Sequence, residues 1–177
     1  MPWGVLVSAG AQWPHGRKLS GMRLMGMSTR SPRPAPAVEG LVIREATPRD
    51  APDVVHVDAA AFEEPVAIER RWIEPLLCAQ SVTVAIAELH GVPVATGYTV
   101  STDGDAGPGL YLAGVAVLPA ARRRGVAAAV STWLLSRDVE QGPRIAHLHP
   151  DSDEAARVYA RLGFIEVTGF DVYGDNV

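Results

Sequence analysis

Cysteine is nearly absent from this sequence, and its scarcity excludes two kinds of stabilisation. Cys78 is the only cysteine among 177 residues, so an intrachain disulfide and a thiolate metal cluster are both excluded. It lies in the apolar stretch WIEPLLCAQ, where nothing basic activates it, and this context favours a buried small side chain over a nucleophile. We expect no metal centre in this protein.

Long hydrophobic runs and a surplus of positive charge are also missing. No run approaches the ~20 apolar residues of a membrane span, and no positive charge precedes the short apolar patch at the N-terminus, which argues against a secretory signal. The formal net charge of −4 argues against a nucleic-acid partner. We therefore expect a cytoplasmic protein that binds neither membranes nor nucleic acids.

What the chain does have is 47% hydrophobic and 20% charged residues, a composition typical of one globular domain with a buried core. Residues 1–40 read differently, because they contain scattered glycines and methionines and end in the proline-rich STRSPRPAPAVEG. We predict that they form a disordered or Pro-rich N-terminal extension. Two other interpretations stay open: translation from Met25 or Met27, or a segment that docks a partner.

From Leu41 onward the hydrophobic pattern becomes regular and predicts the order β-α-α-β-β-β-α-β-α-β, with one or two closing strands. Thr47, Pro48 and Asp50 form a helix-start signature, and Pro75 predicts a break in the second helix. DGDAGPG predicts a loop between strands, and Gly163 a helix end. The fold class is α/β (α+β): a mixed sheet with helices on its faces.

The stretch GVAVLPAARRRGVAAAV, from Gly114 to Val130, combines an apolar strand, a short turn and a helix start. A helix that begins just after a strand presents its unpaired N–H groups and the positive end of its dipole at the strand's carboxyl end. Gly125 and Ala127 let an anion approach the backbone closely, and the arginines at 122–124 add positive charge. On an acidic protein this pattern predicts a site for a discrete anion, such as a pyrophosphate.

At these residues the chain resembles the GNAT superfamily of acetyl-CoA-dependent N-acetyltransferases. The segment RRRGVA, residues 122–127, fits the family motif (Gln/Arg)-x-x-Gly-x-(Gly/Ala). A second segment, SDEAARVYARLGF, is similar to the family's Asn-x-x-Ala-x-x-x-Tyr-x-x-x-Gly-Phe element, with Ser152 in place of the Asn. The resemblance covers residues 41–177 and implies a GNAT domain with a mostly antiparallel sheet of six to seven strands.

The resemblance also implies roles for individual residues. Backbone amides of the turn would hold the cofactor pyrophosphate, the strand would pair with the pantetheine arm, and the amide of Val115 would polarise the thioester carbonyl. Ser152 would bind the pantetheine, and Tyr159 would reprotonate the departing thiolate. The residues expected to bind acetyl-CoA are Val115, Ala116, Val117, Arg122, Arg123, Arg124, Gly125, Val126, Ala127 and Ser152.

The proton acceptor is less defined, because this sequence lacks the glutamates that several family members carry on the strands matching Tyr111 and His147. His147 and His149 alternate around Leu148 and so face one side of the sheet; His147 is our candidate base. Alternatively, both histidines are ordinary polar residues at a strand end. Separately, Tyr159 has the alternative of being a packing residue without a catalytic role. Glu63 and Glu64 are candidates for binding a cationic amine or are solvated loop carboxylates.

The resemblance implies acetyl transfer to a primary amine by direct attack in a ternary complex. The acceptor class stays open between a small molecule and a peptide or protein amine, and a homodimer is an open alternative to a monomer. A different function on the same fold is a non-catalytic acyl-CoA-binding regulatory domain.

Overall fold

The computed structural model of the chain describes residues 4–29, 33–105, 107–139, 142 and 145–174. Eight strands and four α-helices account for most of them. The strands are β1 (Gly4–Ser8), β2 (Arg17–Ser28), β3 (Leu41–Glu45), β4 (Val82–Leu89), β5 (Val92–Gly104), β6 (Gly107–Val117), β7 (Ile145–Leu148) and β8 (Ile165–Gly174). The helices are α1 (Ala51–Phe62), α2 (Val66–Leu76), α3 (Val126–Val139) and α4 (Asp153–Leu162).

All eight strands lie in one sheet, in the order β1-β8-β2-β7-β6-β5-β4-β3. Among the described strands, only β6 and β7 pair in parallel, and every other neighbouring pair is antiparallel. This confirms the predicted mixed, mostly antiparallel sheet flanked by helices, with one or two strands more than expected.

The two faces of the sheet carry separate cores. On one face, α3 and α4 cover a large cluster that includes Leu110, Leu112 and Leu148. On the other face, α1 and α2 cover a smaller cluster around Val54, Ile86 and Tyr98. Successive side chains of a strand point to opposite faces, so each residue of β6 and β7 belongs to one of these two sides. Within the described residues, no helix is long and apolar enough to cross a membrane.

The N-terminal region differs from the sequence-based prediction of an extension through residue 40. β2 lies between β7 and β8, and β1 pairs with the outer edge of β8. Met25 and Met27 are 3% and 7% exposed and belong to the larger core. A disordered extension is therefore the wrong description for β1 and β2. Sequence reasoning missed them because their glycines and polar residues blur the alternation of the hydrophobic ones.

Local signals in the sequence specify several helix ends as expected. Thr47 and Asp50 form a capping box, in which the Thr47 amide donates to Asp50 Oδ2 at 2.8 Å. A short 3₁₀ turn, Pro48–Asp50, precedes α1. α2 ends one residue after Pro75. α4 ends at Leu162 and is capped by Gly163, whose φ is +106°.

Two local expectations are wrong. Most of the DGDAGPG segment is strand and not loop, because β5 continues through Gly104 and β6 starts at Gly107. Cross-strand pairing overrides the turn preference of these residues. Cys78 is exposed and not buried, because α2 ends before it and turns the chain toward solvent.

Candidate active site

A cleft opens where the parallel strands β6 and β7 separate. Their pairing runs from Gly109 and Ile145 to Tyr111 and His147. Beyond that point β6 continues to Val117, whereas β7 ends at Leu148. The separation leaves a cleft of about 900 Å³ between the second half of β6, the start of α3 and the helix α4.

The structure brings almost all of the predicted site residues to this cleft. Those that line it are Val115, Ala116, Val117, Arg122, Arg123, Gly125, Val126, Ala127, Ser152 and Tyr159. Arg124 and His147, both within the described residues, are not among the lining residues. The roles predicted for all of these residues stay predictions.

The turn before α3 has the backbone of an anion site. Arg123 and Gly125 both adopt left-handed conformations, with φ of +63° and +84°. When left-handed and right-handed residues alternate along the backbone, successive N–H groups point toward the same place. Such a concave arrangement is an anion-binding nest. The Gly125 carbonyl accepts the first helical bond, from Ala129 at 3.0 Å, so the first amides of α3 have no partner within the helix. A cleft-facing nest therefore continues directly into a helix N-terminus.

The arginines of this turn make different contacts. Arg122 Nε donates to the Val117 carbonyl at 3.1 Å, and Arg122 Nη2 donates to the Ala61 carbonyl at 3.0 Å. The side chain thus ties the turn to the end of β6 and to the end of α1. Arg123 pairs with Glu154 at 3.0 Å across the mouth of the cleft, where both side chains are largely exposed. Backbone groups consequently make up most of this candidate anion site.

Helix α4 supplies the opposite wall of the cleft. The Ser152 hydroxyl oxygen caps this helix by accepting from the Ala155 amide at 3.2 Å, which leaves its O–H free to donate. Tyr159 is packed edge-on against Phe164, with 6.0 Å between ring centroids. Burial raises the pKa of Tyr159 strongly, and the nearby Asp151 and Tyr111 act in the same direction. The hydroxyl is therefore a proton donor at neutral pH.

A bulge in β6 forms the floor of the cleft. Thr96 pairs with Ala116 and Tyr98 pairs with Ala113, so two β6 residues, Gly114 and Val115, oppose one residue of β5. Gly114 has a φ of +58°, and the Tyr98 ring lies directly against it. Bulges interrupt ladder bonding and re-aim the backbone. This one lies where the resemblance assigns the amide that polarises the thioester.

His147 lies on the other face of the sheet, whereas His149, one residue beyond the end of β7, also lines the cleft. Ala146 and Leu148 are buried, whereas the two histidines are only partly buried, as the alternation predicts. His147 stacks on Tyr111 with 5.1 Å between ring centroids. Burial lowers the pKa of His147, and its neighbour His149 lowers it further. His149 Nδ1 lies 2.8 Å from the Arg23 carbonyl, so this nitrogen carries the hydrogen.

A second cleft, of about 480 Å³, lies on that same face between α1, α2 and β5. Gly114 and Phe62 line both clefts, so the two clefts meet at the β6 bulge. Asp58 lines the second cleft and is 4% exposed. Its Oδ1 is buried and has no hydrogen-bond partner among the described residues.

Asp58 belongs to a pair of carboxyl groups. Burial raises the pKa of Asp58 to about 8, and the hydrogen bond to the Glu69 carboxyl and the charge of Glu69 add to the effect. A hydrogen bond between two carboxyl groups requires a proton on one of them. Glu69 and Trp72 of α2 line the same cleft.

This pair was not predicted from the sequence, although the sequence contains a signal for Asp58. Val54 and Val55 are buried on α1, and Asp58 follows them at i+4 and i+3, on the same helix face. A lone carboxylate on an apolar stripe is unusual and marks a candidate site. Within the described residues, no cluster of three or more potential ligands could hold a metal ion.

The fold and the cleft define a class, acetyltransferase-like α/β proteins, and comparison with known families makes it specific. Residues 42–167 match the family model described as an acetyltransferase (GNAT) domain. The chain belongs to this family. β1 and β2 lie outside the matched range. None of the curated protein sequences matches the chain significantly.

Solved structures share this fold at low sequence identity. A GCN5-related N-acetyltransferase from Kribbella flavida is 22% identical, with a TM-score of 0.71, over 92% of this chain but only 61% of its own length. A predicted acetyltransferase from Clostridium acetobutylicum, crystallised with acetyl-CoA, is 20% identical over 72% of this chain and 91% of its own, with a TM-score of 0.62. The structure of AAC(6')-Iy with a bisubstrate analogue, CoA-S-monomethyl-acetylneamine, is 22% identical over 71% of this chain and 90% of its own, with a TM-score of 0.62.

Proposed function

We propose that this protein transfers an acetyl group from acetyl-CoA to a primary amine by direct attack in a ternary complex. The observation that carries the proposal is the cleft between the diverging strands β6 and β7, with a backbone nest at Arg123–Gly125 at its end. Structures of the same fold hold acetyl-CoA or a CoA analogue, which supports this cofactor.

Different residues of the cleft bind different parts of acetyl-CoA. The nest and the first amides of α3 hold the pyrophosphate of acetyl-CoA. The second half of β6 pairs with the pantetheine arm in the gap that β7 leaves open, and the Ser152 O–H donates to the same arm. The acetyl group then lies at the β6 bulge, where the amide of Val115 polarises its carbonyl.

The transfer itself requires the amine to lose two protons. The substrate ammonium first gives one proton to a base and thereby to solvent. The free amine attacks the acetyl carbon, the C–S bond breaks, and the thiolate of CoA takes a proton from the Tyr159 hydroxyl. The second proton of the new amide nitrogen restores the tyrosine through solvent. His147, neutral at pH 7, is one candidate base.

Direct attack is favoured over an acyl-enzyme because Cys78, the only cysteine of the chain, is not among the residues that line either of the two described clefts. No activated thiol is therefore available to accept the acetyl group at the β6 bulge.

Calorimetric titration with CoA and acetyl-CoA, followed by a thiol-release assay with a panel of amines, tests the proposal. We expect dissociation constants on the order of micromolar. Gly125→Glu should abolish binding, because it adds negative charge beside the phosphates. Gly91→Glu is the matched control, since Gly91 has nearly the same φ, +81°, but lies in the β4–β5 turn.

Equal binding of CoA by the wild type and Gly125→Glu would refute the assignment of the cleft. Tight binding of acetyl-CoA without CoA release from any amine would instead favour a non-catalytic acyl-CoA-binding regulator.

A further inference from the structure

The second cleft contains a buried acidic group that the acetyl-CoA cleft does not use. Asp58 lines this cleft, and its Oδ1 is buried and lacks a hydrogen-bond partner among the described residues. A buried oxygen without a hydrogen-bond partner destabilises the folded state, so its presence needs a physical reason. A ligand that donates a hydrogen bond to this oxygen supplies the reason.

The position of the carboxyl pair relative to the β6 bulge relates it to acetyl transfer. Asp58 and Glu69 share their cleft with Gly114, and Gly114 also lines the acetyl-CoA cleft. A group that enters the second cleft therefore reaches the bulge from the sheet face opposite to α4, while acetyl-CoA reaches it from the other face. The amine and acetyl-CoA would then approach the bulge from opposite sides, which is the arrangement that direct attack requires.

The remaining walls indicate what kind of molecule carries the amine. Phe62, Ile68 and Trp72 line the second cleft and are 42%, 56% and 60% exposed, and Tyr98 lines its inner end. Such aromatic and aliphatic rims bind apolar bodies, and the aromatic faces also attract a cation. An exposed apolar patch of this kind marks a binding surface.

The charges of this cleft argue against a polycationic ligand. Burial raises the pKa of Asp58 to about 8, so at neutral pH this carboxyl is mostly uncharged and the pair carries about one negative charge. Arg71 lines the same cleft with one positive charge. Tyr98 stays neutral, because burial raises its pKa. The net charge facing a ligand is therefore close to zero, which suits one ammonium group seated on the carboxyl pair but not several.

We propose that the Asp58–Glu69 pair binds the acceptor ammonium and takes its proton, and that the acceptor is a primary monoamine with an aromatic or aliphatic body. This inference rests on the proposed acetyl transfer. It differs from the aminosugar of the AAC(6')-Iy complex, because neamine carries several amino groups.

The test compares three amines as acetyl acceptors: 2-phenylethylamine, ethanolamine and neamine. We expect kcat/KM for 2-phenylethylamine to exceed both others at least about tenfold, since only its ring uses the apolar rim. Trp72→Ala should raise KM for 2-phenylethylamine with little change in kcat. A preference for neamine would overturn the assignment of substrate class.

Variants of the pair test its role as base. Glu69→Gln should lower kcat/KM ~10²-fold or more while leaving the affinity for CoA unchanged. Glu74→Gln is the matched control, because Glu74 lies on the same helix, pairs with Arg70 at 3.5 Å, and does not line the cleft. Equal activity of these two variants would overturn the role of the pair.

A binding measurement separates this inference from the proposed function. Titration of CoA-loaded protein with 2-phenylethylamine should give binding that Glu69→Gln and Asp58→Asn weaken at least tenfold and Glu74→Gln does not. Turnover that is insensitive to these variants refutes the pair alone, whereas amine binding without turnover refutes acetyl transfer alone. Absence of amine binding in the wild type refutes the acceptor site.

The melting temperature of Asp58→Asn is a second measurement, which makes a loss of activity in this variant interpretable. The pKa of Asp58 is raised to about 8 in the folded state, so the wild type loses stability as pH rises from the ordinary aspartate value of about 3.9 to that value, above which the loss is complete. Asp58→Asn does not ionise and should therefore melt at a higher temperature than the wild type above pH 8. Lower activity combined with higher stability is typical of a functional residue.

Discussion

The Tyr98 ring lies directly against Gly114, so that a Cβ atom on Gly114 would be 2.8 Å from Tyr98 Cδ1 and closer still to Cε1. Tyr98 pairs across the ladder with Ala113, at the bulge where both clefts meet. The aromatic ring of β5 thus occupies the space that any side chain at position 114 would need. The conformation of the bulge and the shape of the second cleft depend on each other.

Gly114→Ala should accordingly damage both stability and catalysis. The left-handed φ of +58° costs a non-glycine residue ~1–3 kcal/mol, and the added methyl group displaces Tyr98. We expect a loss of at least about 2 kcal/mol in urea unfolding together with a large fall in kcat. Gly104→Ala, in the same sheet with no atom within 4 Å of the new Cβ, is the control; similar losses in both would contradict this explanation.

Tyr159→Phe should lower kcat ~10²-fold or more with the affinity for CoA nearly unchanged. The hydroxyl acts when the thiolate leaves, whereas the packing of the ring against Phe164 survives the substitution. Because the pKa of Tyr159 is raised, the hydroxyl stays protonated through pH 9, and the wild type should show no basic limb from this group. A fully active Phe variant would remove Tyr159 from the mechanism.

The acidic limb of the pH profile of kcat/KM distinguishes the two candidate bases. Burial lowers the pKa of His147, so a limb due to this base lies below the ordinary imidazole value of about 6.5. Burial raises the pKa of Asp58 to about 8, so a limb due to the carboxyl pair lies above it. We expect the higher limb.

We also expect His147→Gln and His149→Gln to leave that limb in place. A limb below pH 6.5 that disappears in His147→Gln and not in His149→Gln would restore His147 as the base.

A chain that begins at Val38 should unfold or lose most of its stability. β8 pairs with β1 and β2 and with no other strand among the described residues, so their removal leaves it without a partner. The truncation also removes Met25 and Met27 from the core, at ~1.5–3 kcal/mol each, which is comparable to total domain stability. An unchanged melting temperature in circular dichroism would instead support an independent N-terminal extension.

Sequence alone determined the parts of this protein that rest on local chemistry. The capping box at Thr47, the end of α4 at Gly163 and the turn RRRGVA before α3 depend on backbone preferences and hydrogen bonds within a few residues. The element order from Leu41 onward follows from hydrophobic periodicity in the same way. These features were predicted because neighbours along the chain specify them.

Tertiary structure decided what depends on residues far apart in the chain. β1 and β2 are strands because they pair with β7 and β8, more than 100 residues away, and their own sequences carry a weak signal. The Asp58–Glu69 pair exists because α1 and α2 pack on one sheet face beside Tyr98. Burial by that packing, and not the identity of either residue, raises the pKa of Asp58.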